Sequence, residues 1–210
     1  MDSNDKPCAI TAMHPFVLTA ERNDTIIRIM KVGVVSDTHK NLDYLREATR
    51  MLLNEKVDLI IHLGDDYEDA EVFDEFDVRS VIKVPGVYDP EYMDRKIAHR
   101  SVEDFLGWRV LASHTPVSHS NDFPDDPRPE DLCAQKKVDI LLHGHTHIPL
   151  IARKEHILHF NPGHLKENDK KGYPASFGIL ELTSEKVIAR IFEFPGGKQL
   201  FCEDFQKPQP

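Results

Sequence analysis

Four short apolar runs in this chain each end in a turn carrying aspartate or histidine, and this coincidence constrains the fold more than any other feature. KVGVVS (31–36) leads into Asp37-Thr38-His39, and VDLIIHL (57–63) into Gly64-Asp65. WRVLAS (108–113) leads into His114, and VDILLH (138–143) into Gly144-His145-Thr146-His147. The runs are rich in β-branched residues and too short for ordinary helices, so they read as buried strands. Ligand sites in α/β sheets form beyond the carboxyl ends of strands. Four such loops can therefore converge on one crevice.

Between these runs the pattern changes. Leu42, Leu45, Ala48, Leu52 and Leu53 follow a helical period, with Asn41 as N-cap, and predict a helix to about Glu55. SVIKV (80–84) predicts a third strand ending at Pro85-Gly86. KIAHRSVEDF and WRVLASH, separated by Leu106-Gly107, predict an antiparallel hairpin. A Pro-containing polar stretch from Ser118 to Arg128 reads as a long loop before a short helix near 129–136. PLIARKE, HILHFN, SFGILELT and KVIARIFEF alternate as strands do. Helices interleaved with strands, followed by a β-rich half, predict an α/β fold of two packed, mixed β-sheets flanked by helices. Its expected bounds are residues 30–194, with an N-terminal extension over 1–29 and a C-terminal tail over 195–210.

Composition narrows the partners. Thirty-six acidic against 26 basic residues give a net charge of -10, which repels a phosphate backbone, so duplex nucleic acid is not an expected partner. Cys8, Cys133 and Cys202 form no CxxC pair and suit a reducing compartment. No apolar run approaches the roughly 20 residues needed to cross a bilayer. Asp2 and Asp5 stand where a signal peptide carries positive charge. The expected location is the cytoplasm, with no membrane partner.

Taken as extended segments, Asp37 with His39 and His145 with His147 would each present two side chains to one side. With Asp65 and His114 this makes two carboxylates and four imidazoles. An oxygen and nitrogen donor set without cysteine suits Mn²⁺, Fe²⁺, Zn²⁺ or Ni²⁺ better than Mg²⁺. Bland readings stand beside this one. An isolated Asp-x-His occurs often by chance, Asp65 could cap a following helix, and His62, His143, His156 and His159 read as packing or surface histidines.

SDTH, HLGDD, PGVYDP, ASH and HGHTHIP, followed by NPG at 161–163, occur in the order found in calcineurin-like metallophosphoesterases. The chain resembles their small bacterial and archaeal phosphodiesterase branch over about Met30 to Glu193. The resemblance implies a β/β sandwich and a small phosphoester substrate, hydrolysed by in-line attack of a hydroxide held between two divalent ions, with manganese the leading candidate. It implies that Asp37, His39, Asp65 and His147 hold one ion, and that Asp65, His114 and His145 hold the other. Gly86-Val87-Tyr88-Asp89 departs from the family's Gly-Asn-x-Asp, so a valine stands where the second ion would have an amide ligand. Tyr88 occupies the place of a leaving-group histidine in some relatives, and a phenol of reference pKa about 10 is a poor acid at neutral pH; no general acid is assigned. The valine supports an alternative, a catalytically weakened member serving as a protein-interaction scaffold. A histidine-rich metal-binding protein without catalysis is a third reading.

Overall fold

The computed structural model describes residues 27–207. Most of the expected N-terminal extension, residues 1–26, lies outside them. Six strands form one sheet in the order β11-β10-β9-β1-β2-β3, and five form another in the order β4-β5-β6-β8-β7. The strands are β1 (Met30–Val35), β2 (Leu59–His62), β3 (Val81–Lys83), β4 (Arg100–Phe105), β5 (Trp108–Ser113) and β6 (Ile140–Leu142). β7 (Leu150–Lys154), β8 (Ile157–Asn161), β9 (Ser176–Leu182), β10 (Lys186–Glu193) and β11 (Gln199–Gln206) complete the set.

Alternation along the strands divides the core into layers. Val32 and Val34, Leu59 and Ile61, and Leu180 and Leu182 face inward, where they meet Val110, Ala112, Ile140, Leu142, Leu158 and Phe160 of the second sheet. The intervening Val35, Ile60, Phe177 and Ile179 face the opposite way and pack against Leu45, Ala48 and Leu52 of helix α1 (Leu42–Asn54). Helix α2 (Pro129–Ala134) covers Leu111, Leu141 and Ile157 on the other side with Leu132 and Cys133. This is the two-sheet sandwich with outer helices that the period-2 runs predict.

Each sheet contains a run of three parallel strands, at one edge of the six-stranded sheet and in the middle of the five-stranded one. β1 pairs in parallel with β2, and β2 with β3; β5 pairs in parallel with β6, and β6 with β8. The loops after these strands consequently leave the sandwich at one rim. The hairpin after Ile97 is shorter than expected, since pairing starts only at Arg100. An unanticipated 3-10 helix, Tyr67–Glu75, follows the second loop; its N-cap, Asp66, makes no side-chain capping bond.

The expected tail over 195–210 is corrected. β11 pairs antiparallel with β10 from Lys186↔Gln206 to Phe192↔Gln199, extending the domain to Gln206. Only Phe205 of this strand is buried, so it lacks the apolar alternation by which strands are recognised and is held largely by backbone pairing.

Candidate metal centre

All six candidate ligands lie in the rim loops, three after strands of each sheet. Asp37 and His39 follow β1, Asp65 follows β2, His114 follows β5, and His145 and His147 follow β6. Their donor atoms form two groups sharing Asp65, namely Asp37, His39, Asp65 and His147, and Asp65, His114 and His145; within each group the donors lie within 4.8 Å of one another. His39 Nε2 is 3.1 Å from His147 Nε2, and His114 Nε2 is 3.1 Å from His145 Nδ1. The Asp65 carboxylate reaches both groups, 3.5 Å from His39 Nε2 and 3.2 Å from His114 Nε2.

The local conformation corrects one expectation. The Asp37-His39 and His145-His147 pairs are not extended: Asp37, His39, Asp65, His145 and His147 have φ of 53°, 49°, 57°, 65° and 60°. Left-handed backbone is uncommon for non-glycine residues and costs free energy that the surrounding fold must supply. Here the side chains converge because tight turns aim them, not because a strand pleat does.

Fixed partners hold several donors in the state an ion needs. His114 Nδ1 donates to the Leu63 carbonyl at 2.7 Å, and His147 Nδ1 to the Asp169 carboxylate at 2.7 Å. Each contact leaves the Nε2 lone pair facing the centre. Asp37, fully buried, accepts from Ser36 Oγ at 2.5 Å and from the His145 amide at 3.0 and 3.1 Å. Burial would raise the Asp37 pKa, but the contacts with His147 and Ser36 and the nearby His114 outweigh it and hold the carboxyl below its usual range. Burial lowers His39 and His145, favouring neutral rings.

Asp65 behaves differently. Burial pushes its pKa up to about 6 against the pull of His114, and the neighbouring charges of Asp37 and Asp89 add to the rise. Below pH 6 an ion must displace a proton from Asp65; well above pH 6 it need not. His147 is also raised, since its bonds to Asp37 and Asp169 overcome the opposing effect of burial, and it acts in the same direction. Mn²⁺ affinity is therefore expected to fall between pH 7.5 and pH 5.5, about fourfold from Asp65 alone. Calorimetric titrations that give one affinity at both pH values would contradict this.

The sequence gives no sign of Asp169. Its side chain is only 6% exposed, and its pKa sits at about 2 because the bond from His147, with the Lys171 amide, overcomes the cost of burial. Asp169→Ala is expected to weaken ion binding about 10–100-fold, the usual scale for a residue that orients a metal-binding histidine. Asp169→Asn, whose amide oxygen still accepts from Nδ1, should fall between. Unchanged affinity in both variants would show the contact to be idle.

Other residues are placed outside the two groups. His62 is fully buried; its Nδ1 accepts the Gly64 amide, and burial lowers its pKa to about 4. His143 is buried and lowered to about 4 by the same cause. Asp89 accepts backbone N–H bonds from Asp66, Tyr67 and Gly86, which commits it to holding two rim loops together. Val87 is 2% exposed and brings no donor from its side chain.

The donor set fits a pair of divalent ions. Buried or half-buried carboxylates and imidazoles aim nitrogen and oxygen at two common points, and two histidines have their tautomers fixed from behind. Comparison with known proteins agrees with this chemistry. Residues 30–185 match the calcineurin-like phosphoesterase superfamily domain. The phosphodiesterase YfcE of Escherichia coli is 28% identical over 178 residues, covering 77% of this chain and 92% of the relative. A probable metallophosphoesterase of Methanocaldococcus jannaschii is 34% identical over 137 residues, covering 64% and 67%. Among solved structures, Vps29 of Chaetomium thermophilum superposes with a TM-score of 0.64 at 15% identity, covering 86% of this chain and 98% of that one. The donor chemistry of the rim and the match over most of the folded domain lead to one assignment: the chain belongs to the calcineurin-like phosphoesterase superfamily.

Proposed function

We propose that this protein is a metal-dependent phosphodiesterase, with one ion held by Asp37, His39, Asp65 and His147 and a second by Asp65, His114 and His145. The observation that carries the reading is Asp65, whose two carboxylate oxygens face the histidines of both groups. Bound there, divalent ions supply Lewis-acid activation of a phosphoryl group and of water. The chain's own residues set the geometry. Asp65 fixes the spacing of the two groups, Leu63 O and Asp169 orient His114 and His147, and the His145 amide with Ser36 locks Asp37. Ser36 and Thr38 are fully buried, with their hydroxyls donating to Asp37 and Asp69, so neither is placed to reach a substrate phosphorus.

Manganese is the proposed physiological ion on the mixed imidazole and carboxylate donor set. A small phosphoester suits an acidic protein better than a long polyanion does. A cytoplasmic location fits the free thiols of Cys133 and Cys202. The test is hydrolysis of bis(p-nitrophenyl) phosphate by the purified protein across a Mn²⁺ titration, with elemental analysis of bound metal. Turnover that rises with occupancy supports the reading. Two bound ions without turnover would favour the metal-binding protein, and no stoichiometric ion the scaffold whose second site Val87 has weakened.

A further inference from the structure

A phosphodiester carries two organic groups on phosphorus, and the surface beside the metal centre determines which groups are welcome. One side of that surface is a row of rings. His114 packs edge-on to His145 with centroids 5.0 Å apart, His145 to His119 at 6.2 Å, and His119 to Tyr88 at 5.8 Å. The row begins at a buried candidate ligand and ends at a tyrosine that is 75% exposed. Burying large aromatic area is favourable, so a tyrosine held in water beside a reactive centre marks a surface kept for a ligand.

Both outer rings are held on firmly anchored backbone. Tyr88 lies between Val87 and Asp89, both buried, with Asp89 fixed by its three backbone donors. His119 N donates to Asp122 Oδ2 at 3.0 Å, and the Asn121 side chain ties this loop to the Val87 carbonyl at 2.9 Å. Below it, Asp122 accepts from the buried Arg100 at 2.6 Å and from the Tyr92 hydroxyl. Asp126 meets His99 at 2.7 Å, and the His99 ring is stacked between Tyr92 and Phe123. Among the described residues Arg100 Nε and Nη1 have no hydrogen-bond partner, although Nη1 lies 3.9 Å from Asp126 Oδ2. A loop so braced presents its rings in a fixed position and spares a ligand the cost of ordering them.

We infer that His119 and Tyr88 form a subsite for a planar organic group on phosphorus, so that the enzyme selects aryl and nucleoside phosphoesters over wholly aliphatic ones. Ring faces offer stacking to a planar group and little to an alkyl chain. His119 Nδ1 accepts the Asn121 amide at 3.2 Å, which puts the proton of the neutral ring on Nε2 as a donor for an ester or sugar oxygen.

The inference rests on the phosphoesterase reading, and one experiment separates the two. Adenosine monophosphate and ribose 5-phosphate share phosphate and sugar and differ in the base; both are titrated calorimetrically into the Mn²⁺-loaded full chain. The nucleotide is expected to bind about tenfold more tightly, the scale of a single base–aromatic stack. That advantage should shrink to within about twofold in Tyr88→Ala and persist in Tyr88→Phe, which keeps the ring face. Equal affinities in the unmodified protein, or an advantage that survives Tyr88→Ala, overturn the subsite and leave the metal centre standing. If neither phosphate binds the loaded protein the subsite is overturned, and hydrolysis of bis(p-nitrophenyl) phosphate by the same sample decides separately whether the phosphoesterase reading stands.

Discussion

Asp65→Ala is expected to abolish stoichiometric ion binding at both groups and to lower phosphodiester hydrolysis by more than about a hundredfold, exceeding what the loss of an orienting residue costs. Among the described residues no other side chain contributes to both groups, so no other single substitution there removes a ligand from each. Stability provides the control. In the ion-free protein burial holds the Asp65 pKa at about 6, above its usual value, so at neutral pH the ionised carboxylate opposes folding. Its removal should leave the ion-free melting temperature unchanged or raise it. A variant that melts earlier without ions would show that Asp65 is needed for the fold, and one that still binds two ions would sink the shared-ligand assignment.

Gly144→Ala should be nearly as damaging through a different route. A methyl group at this position would collide with Ser36 Oγ and lie 2.5 Å from Asp37 Oδ2. Both are fully buried against one another, so neither can swing away into solvent. The added carbon must displace the Asp37 carboxylate or push out the turn that carries His145 and His147. Overpacking of this kind costs about 1–3 kcal/mol, a fall in melting temperature of roughly 2–12 °C for a chain of this size. Binding at the four-residue group should be lost even where the protein remains folded. Unaltered Mn²⁺ affinity in a folded Gly144→Ala protein would show that the turn yields where the geometry says it cannot.

Much of this was legible in the sequence, for a physical reason. Strands buried on both faces must be almost wholly apolar, so a polar Asp37, Asp65 or His145 directly after such a run stands out, and the parallel pairing that gathers these residues follows from the same runs. Asp169 was not legible. It lies in a polar segment, Lys166–Lys171, with no period, and its bond to His147 spans 22 residues through a loop. The brace of His99, Arg100, Asp122 and Asp126 was hidden likewise, since partners 22–27 residues apart, two of them in an irregular loop, meet only once the fold exists. Left-handed turns at five candidate ligands escaped because aspartate and histidine tolerate that conformation without advertising it. β11 escaped because one buried phenylalanine makes no pattern.

The division of the candidate ligands, three on loops of each sheet, bears on more than chemistry. The four-residue group takes Asp37, His39 and Asp65 from one sheet and His147 from the other, while the second group joins Asp65 to His114 and His145. An ion in either group thus rivets the open edge of the sandwich, and the two layers cannot part there without first letting it go. Occupancy and mechanical integrity are linked by mass action: the cell's supply of divalent metal would set both how fast the protein works and how long it resists proteases.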